Sequence, residues 1–390
     1  MNVGDRGIEQ RWRLYQEERA LDGRALRLLT AVTTVRVRSS ARRRRAPLVP
    51  TAPATATVVI PCFNYGRFLP DAVRSALAQP HVDVEVIIVD DCSTDDSRQV
   101  ARRLAAEHAG VTLIEQAVNS GHVECFNAGW RASSGEFVVK LDADDMLTEG
   151  ALTRAVALFR AHPTVGLVYG HPRHFHAEDP PPGRVARVRW TVWAGQDWLA
   201  ERCRLGSSAI TNPEMVVRSG ALRELGAMDP RIPYAPDMEL SLRVAASSDV
   251  GYVAGADQAL HREHASSMSE TDGSGTLLDL CARRAAFDAA LQRTRGEGSV
   301  AMRAAACRAL GREAVRLAMA RSGQAGRQDE VAALLAFAIE THPESAQWRA
   351  VRRLRDGRGA RRSALVRAWG RAARKIRYER YYARWVVSGL

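Results

Sequence analysis

Residues 137–145 read Phe137-Val138-Val139-Lys140-Leu141-Asp142-Ala143-Asp144-Asp145. The β-branched and aromatic start is typical of a buried strand in a parallel sheet, and this strand ends in three carboxylates within four positions. Open α/β sheets bind ligands at the carboxyl ends of their strands, where carboxylate oxygens can hold Mg²⁺ or Mn²⁺. The alternative is a solvated acidic turn or the N-cap of a helix over 147–160, since Asp is common at helix starts. This stretch alone leaves both interpretations open.

Strands and helices alternate regularly around this stretch. Strands joined by helices of this length run parallel, because parallel neighbours need a crossover connection. The pattern therefore predicts a Rossmann-like α/β domain with a parallel, doubly wound sheet. The predicted strands are 58–60, 86–89, 111–114, 137–141 and 165–169, and the predicted helices are 68–77, a helix capped by Ser93 or Thr94 that ends near 108, 123–132 and 151–161.

The positive charge lies at the two ends of the chain. The net charge is +12 over 390 residues, yet residues 57–348 hold 30 basic against 37 acidic side chains. Residues 1–56 hold 12 arginines against 5 acidic residues, and residues 349–390 hold 13 arginines and one lysine against 2. A domain that reads nucleic acid would concentrate its arginines on the folded core, so we expect no nucleic-acid partner. Basic ends suit an anionic membrane surface or an acidic partner.

Cysteine spacing and the length of apolar runs indicate the cellular compartment. The six cysteines show no Cys-x-x-Cys spacing, which disfavours a zinc site and a disulfide framework. No apolar run approaches the roughly 18 residues of a membrane span. We therefore expect a cytoplasmic protein, peripheral at the inner face of the cell membrane.

The chain divides into three predicted parts. Residues 1–56 form a basic extension with one amphipathic helix and a linker rich in Pro, Thr and Ala, and 273–390 form a helical, basic C-terminal region. Between them lies one domain, 57–272, with a nucleotide half at 57–170 and an acceptor half at 171–272. A basic amphipathic helix near 365–376 suits either a membrane interface or packing on the domain.

Polar residues follow three of the predicted strands. They are 61–64, 90–93 and 142–145, and no Gly-x-Gly-x-x-Gly or Walker lysine accompanies them, which excludes nicotinamide and phosphate-loop chemistry. An acidic residue after the second strand can accept hydrogen bonds from a base or ribose, and Phe63 can stack on a base. The third cluster can hold a cation on a diphosphate. An ordinary capped loop is the alternative for residues 90–91, but the three strand ends together favour nucleotide binding.

Several motifs together resemble the nucleotide-binding half of family 2 glycosyltransferases, which are inverting GT-A-fold enzymes that use nucleotide-diphospho-sugars. The resemblance covers 57–170 in order and spacing, and Cys62 and Cys92 stand where small residues or Gly are frequent. It implies that Asp91 reads the nucleoside and that Asp144, with Asp142 or Asp145, binds the metal and diphosphate. The motifs are 58–64, 87–97, 119–121, Asn127, 134–137 and 141–145. The implied nucleotide-sugar contacts are Pro61, Phe63, Asn64, Asp91, Asn119, Gly121 and Asp142.

The predicted acceptor half holds a candidate catalytic base. Residues 234–243 read as a helix start with Pro236 before Asp237, and acidic residues also suit a first turn because of the helix dipole. The resemblance implies that Asp237 is the base, although Pro236 replaces the acidic residue that often precedes it. His264 is either a metal ligand, together with Asp144 and Asp145, or an ordinary surface histidine. Three tryptophans and a polar turn are expected to shape the sugar and acceptor pockets: Trp190, Trp193, Trp198 and 212–214.

The expected function is a hexosyltransferase-type, inverting and non-processive glycosyl transfer that depends on Mn²⁺ or Mg²⁺. It would move a sugar from a nucleotide-diphospho-sugar to a hydroxyl of a saccharide, a lipid-linked acceptor or a small molecule, in the synthesis of cell-envelope polysaccharide, glycolipid or glycoconjugate. Single-sugar transfer is expected because no Gln-x-x-Arg-Trp motif is present. The alternative is a catalytically silent scaffold or a membrane-surface binding protein.

Overall fold

The computed structural model describes residues 42–45, 50, 52–176, 178–208, 210–264, 276–294, 297–356 and 389. They form a mixed sheet with helices on both faces, followed by a group of helices. The strands are β1 (Arg42–Arg45), β2 (Thr55–Cys62), β3 (Asp83–Asp90), β4 (Val111–Glu115), β5 (Phe137–Lys140), β6 (Met146–Leu147), β7 (Val165–Phe175), β8 (Val185–Trp193), β9 (Val216–Arg218) and β10 (Asp249–Arg262). The helices are α1 (Leu69–Leu77), α2 (Ser97–Glu107), α3 (His122–Ala132), α4 (Ala151–Ala161), α5 (Gly195–Leu205), α6 (Ser219–Leu225), α7 (Pro236–Ser247), α8 (Leu277–Gln292), α9 (Glu297–Arg321), α10 (Gln328–Thr341) and α11 (Arg349–Arg355), with a 3₁₀ turn at Pro343–Gln347.

The sheet is mixed, with both parallel and antiparallel neighbours. Its strand order is β1-β8-β10-β7-β9-β5-β2-β3-β4, with β6 paired to β10. Strands β5, β2, β3 and β4 pair in parallel, as predicted. Strand β9 lies antiparallel between β5 and β7, so β7 runs in the same direction as β5, as predicted. Strand β10 pairs in parallel with β7, and β8 lies antiparallel to β10. The short β9 returns from the second half of the chain, which no local pattern indicates.

Helix α2 begins later than the sequence predicted. Its N-cap is Asp96 rather than Ser93 or Thr94. The reason is a side chain from another loop, because Asn64 Oδ1 accepts hydrogen bonds from the backbone N–H groups of Thr94 and Asp95 at 2.8 and 3.3 Å. These contacts hold the segment as a turn before the helix.

The arginine run near the N-terminus belongs to the sheet. Strand β1 pairs antiparallel with β8, with Arg42 opposite Val192 and Arg45 opposite Arg189. Strand β2 begins at Thr55, two residues before the predicted domain start. The predicted helices in 1–41 and near 365–376 lie outside the described residues.

Both faces of the sheet are buried, which explains the continuous apolar run in β5. Phe137 and Val139 pack in the core beneath one layer of helices, and Val138 packs in the core on the other face. This second core also contains Leu280 and Leu334, so helices α8 and α10 share it with the sheet. The C-terminal region is therefore helical, as expected, over its described residues. Within the described part of the chain, no helix combines the length and hydropathy needed to cross a bilayer.

The three tryptophans are core residues. Trp190, Trp193 and Trp198 are 2%, 3% and 0% exposed. Their predicted role in lining the sugar and acceptor pockets is wrong, because none presents a free ring face to a ligand. Their packing contribution outweighs the sugar-stacking preference on which the expectation was based.

Candidate active site

The acidic turn after β5 is a loop at the carboxyl edge of the sheet. The backbone N–H of Asp145 donates to the carbonyl of Asp142 at 3.0 Å, which closes the turn. Strand β6 follows at once, and α4 starts at Ala151 with Gly150 as its N-cap. The helix-cap alternative is therefore wrong, because a strand and a glycine cap separate the carboxylates from the helix.

Asp142 is held from two sides. Its Oδ1 accepts a hydrogen bond from Lys140 Nζ, and its Oδ2 accepts one from Asn212 Nδ2 at 2.9 Å. The Lys140 side chain is 2% exposed and that of Asp142 is 36% exposed. Burial raises the pKa of Asp142, but the adjacent Lys140 ammonium lowers it by more, and the net value is about 2. Asp142 is thus an oriented, permanently ionised carboxylate with an open face.

Asp144 faces His264 across the site. His264 Nε2 lies 3.0 Å from Asp144 Oδ2, and its ring stacks on Phe68 at a centroid distance of 5.2 Å. Burial and the charges of Asp145 and Asp142 raise the pKa of Asp144 to about 8. Burial and the nearby arginines lower the pKa of His264, so its imidazole is neutral at pH 7.

This arrangement fits a divalent cation. Three crowded carboxylates favour an added positive charge, and a carboxylate beside a neutral imidazole is a suitable donor pair for Mn²⁺. Asp144 and His264 would hold the ion. In the part of the chain that the structure describes, no three His, Cys, Asp or Glu side chains are arranged to bind a metal by themselves. Diphosphate oxygens and water would have to complete the coordination.

Asp145 has a different position from its two neighbours. Its side chain is fully buried; Oδ2 pairs with His261 Nδ1 and Oδ1 accepts from the backbone N–H of Arg262, both at 2.9 Å. Both oxygens are therefore engaged on the end of β10. Its described role is to anchor the segment that carries His264, and metal binding by Asp145 stays a prediction.

The loop after β2 is fastened to the loop after β3. Asn64 adopts a left-handed φ of 60°, and its backbone N–H donates to Ser93 Oγ at 3.1 Å. Cys92 also has a left-handed φ, of 62°, which explains why Gly is frequent at this position in the resembled family. Phe63 is 40% exposed and free to stack on a base, whereas Pro61 is buried within β2. The predicted contact of Asn64 with a nucleotide stays a prediction, since its Oδ1 already binds the 94–95 backbone.

Asp91 organises a neighbouring loop. Its Oδ1 accepts from the N–H of Ser120 at 2.7 Å and its Oδ2 from the N–H of Gly121 at 2.8 Å. Gly121 has φ +83°, a conformation that side chains disfavour, and Asn119 is exposed beside it. Asp91 is buried, so its described role is to shape this loop, and nucleoside reading by Asp91, Asn119 and Gly121 stays a prediction.

The acidic pair at the start of α7 divides into two roles. Glu239 is buried and pairs with Arg243 at 2.7 Å, and Arg243 also donates to the carbonyls of residues 225–227. Asp237 is partly exposed, and its Oδ1 is buried without a hydrogen-bond partner. Burial and, to a smaller extent, the charge of Asp142 raise the pKa of Asp237, Lys140 lowers it, and the net value is about 6. A carboxylate that titrates near neutrality beside a donor site is suited to general-base chemistry.

Two site residues were missed in the sequence. The sequence assigns no role to Lys140, because it does not follow a glycine-rich phosphate loop. His122 received no role, yet its Nε2 donates to the carbonyl of Pro233 at 3.0 Å and so ties α3 to the loop before Asp237. Tyr234, in that loop, is 50% exposed. A lysine in an arginine-rich chain was the one available signal, because arginine replaces lysine nearly everywhere else.

Comparison with known proteins agrees with this geometry. Residues 57–205 match the profile of Glycosyl transferase family 2. An uncharacterized glycosyltransferase of Nostoc sp. is 43% identical over 114 residues, 29% of this chain and 35% of the relative. Chondroitin synthase of Escherichia coli is 33% identical over 139 residues, 36% of this chain and 19% of the synthase. The match thus spans about a third of the first relative and about a fifth of the second.

A solved structure shares the fold. S. aureus TarS 1–349 in complex with UDP-GlcNAc superimposes with a TM-score of 0.52 at 13% identity, over 78% of this chain and 92% of that one. The structure has the GT-A fold. Residues 57–205 are similar in sequence to family 2 glycosyltransferases.

Proposed function

We propose that this chain is an inverting, non-processive glycosyltransferase that moves a hexose from a nucleotide-diphospho-sugar to an acceptor hydroxyl. One observation carries the proposal: Lys140 and Asn212 hold the carboxylate of Asp142 at the strand end, and Asp237, whose pKa burial raises to about 6, lies in the first turn of α7. A base on one side and a donor-orienting carboxylate on the other are the two groups that a single displacement needs.

In this proposal each residue has one task. Asp237 accepts the proton of the acceptor hydroxyl as its oxygen attacks the anomeric carbon from the side opposite the diphosphate. Asp142 orients the donor, and Phe63 stacks on the base. Mn²⁺ or Mg²⁺ held by Asp144 and His264 would supply positive charge to the leaving diphosphate. One displacement inverts the anomeric centre, so no enzyme nucleophile is required.

The substrates are proposed from chemistry and from the relatives. Chondroitin synthase is named for making a polysaccharide, and TarS is seen with UDP-GlcNAc, so a UDP-sugar and a saccharide or lipid-linked acceptor of the cell envelope are the first candidates. We further propose cytoplasmic, peripheral membrane binding. The exposed Arg352, Arg353 and Arg355 of α11 support attraction to anionic lipid, which cosedimentation with phosphatidylglycerol vesicles would test.

A thermal-shift and hydrolysis screen tests the transfer reaction. UDP-, GDP- and dTDP-sugars are added with and without Mn²⁺ to wild type, Asp144→Asn and Asp237→Asn. We expect one donor to stabilise wild type in the presence of metal and to be hydrolysed slowly. Asp144→Asn should lose the stabilisation, and Asp237→Asn should keep it without turnover. Absence of stabilisation by every donor would overturn the proposal and favour a silent scaffold.

A further inference from the structure

Lys140 is an unusual residue for its position. The chain has two lysines among 56 basic Lys and Arg residues, and this one is 3% exposed on a central strand of the sheet. Burying an ammonium group is costly unless it is paired, so a lysine here needs a specific partner. Val59 of β2 is its neighbour across the parallel ladder.

The alternation of β5 decides which way the side chain points. Side chains two positions apart in a strand lie on the same face, so Lys140 shares the face of Val138 rather than that of Val139. Val138 belongs to the core that also contains Leu240 of α7 and Val123 of α3. Lys140 therefore points toward the helices that begin near Asp237 and His122.

One carboxylate, Asp142, binds the ammonium group directly, and a second, Asp237, lies in the first turn of the helix on that face. Nζ donates to Asp142 Oδ1, and the charges of Lys140 and Asp237 act on each other. Asp142 belongs to the donor side of the site, and Asp237 to the acceptor side. Residues from two distant parts of the chain are thus coupled through one cation.

Building on the proposed function, we infer that Lys140 is a positioning residue that orients Asp142 toward the donor and places a positive charge on the face of the sheet where the helix of Asp237 begins. An arginine cannot replace it. The longer, planar guanidinium does not fit a site in which the lysine side chain is 2% exposed, and its fork would bind Asp142 in a different geometry.

Asn212 offers a matched control. Its Nδ2 holds the other oxygen of Asp142 at 2.9 Å, but the side chain is neutral and contributes no charge to Asp237. Loss of Asn212 should disturb donor orientation alone. Loss of Lys140 should disturb donor orientation and the base together.

The experiment measures hydrolysis of the UDP-, GDP- or dTDP-sugar that wild type turns over in the screen. Lys140→Met should lower kcat by about 100-fold or more, a typical size for a base effect, and raise the donor KM. Asn212→Ala should raise KM with kcat within about threefold, the loss of binding alone. Lys140→Arg should not restore kcat. A Lys140→Met enzyme with near wild-type kcat, or rescue by arginine, would overturn the inference.

A second variant pair covers the case in which Lys140→Met does not fold. Lys140→Met/Asp142→Asn removes both members of the buried pair and leaves no unpaired charge at that point. Its kcat should be at least about tenfold below that of Asp142→Asn alone, because Asp237 has lost its cation. Equal kcat values would overturn the inference. Wild-type inactivity on every donor would instead overturn the proposed function, and the inference with it.

Discussion

Asp144 Oδ2 and His264 Nε2 lie 3.0 Å apart although 120 positions separate the residues in the chain. The contact joins the turn after β5 to the segment after β10, and Phe68 supports the imidazole from the other side. A site that binds a cation between a nucleotide half and an acceptor half needs such a junction. Asp145, which binds His261 and the backbone N–H of Arg262, holds the end of β10 so that His264 meets Asp144.

Substitution of either partner should remove metal-dependent nucleotide binding. Asp144→Asn and His264→Ala each take one donor atom from the proposed cation site, so UDP with Mn²⁺ should no longer raise Tm. Asp83→Asn, an exposed carboxylate on the far end of β3, serves as the control and should keep the shift. If both variants retained the Mn²⁺-dependent shift, Asp144 and His264 would not be the ligands.

Asp145→Asn should act on stability. The carboxylate is fully buried and holds His261. Burial lowers the pKa of His261, but the charge of Asp145 raises it by more, and the net value is about 10. Removing the charge leaves a buried cation without its partner, which costs about 3 kcal/mol in the free energy of unfolding. Urea denaturation measures this loss. An unchanged unfolding midpoint together with lost Mn²⁺ binding would instead support Asp145 as a metal ligand.

Asp237→Asn should abolish turnover yet stabilise the fold near neutral pH. The folded-state pKa of about 6 lies above the ordinary value of 3.8, so folding favours the protonated acid. The contribution of this group to the free energy of unfolding is therefore greatest below about pH 4, and it declines as the pH rises to about 6. Asp237→Asn should raise the free energy of unfolding by about 1–2 kcal/mol at pH 7 and change it little at pH 4. This gain is smaller than the full pKa shift would give, because the Asp237 side chain is partly solvated.

Unfolding of both forms from pH 4 to 8 checks this difference. A variant that loses stability equally at all pH values would contradict a partly buried carboxylate with an unpaired Oδ1 at position 237. In wild type the same group predicts that kcat/KM for donor hydrolysis rises with pH and levels off above about 6, where Asp237 is ionised.

Phe63→Ala should weaken nucleotide binding. The ring is 40% exposed at the edge where the three strand-end loops meet, and base stacking on such a ring contributes about 1–3 kcal/mol. The Kd of UDP measured by calorimetry should rise about 5- to 150-fold, and Phe63→Trp should preserve binding. Val300→Ala, another exposed apolar residue, is the control on α9. A Phe63→Ala protein with wild-type UDP affinity would remove the ring from the base pocket.

Much of the nucleotide half could be predicted from the sequence. The strand containing Phe137 is apolar because both faces of β5 are buried, and the abrupt change to Asp142 marks the strand's carboxyl end. The loops containing Asn64 and Gly121 carry residues that tolerate left-handed backbone, so their turns were also foreseeable. These signals are local: each depends on neighbours within a few positions.

The roles of individual carboxylates could not be predicted in this way. Asp144 and Asp145 are adjacent and chemically identical, yet one faces His264 and the other is buried under β10. The tryptophans gave a similar ambiguity, because a large apolar ring suits a core as well as a sugar pocket. Only the pairing of β8 within the sheet and the packing of α5 in the core decided that these tryptophans are core residues.

The sequence by itself determined the alternation of strands and helices, the acidic turn at residues 142–145 and the family resemblance, because periodicity and turn chemistry are encoded locally. Only the tertiary structure decided that Lys140 joins Asp142 to the neighbourhood of Asp237, that Asn212 completes the hold on Asp142, and that β9 enters the sheet antiparallel. Those relations connect residues about 70 to 100 positions apart. The physical reason is that burial and pairing free energies depend on which distant surfaces meet, and local sequence does not record that choice.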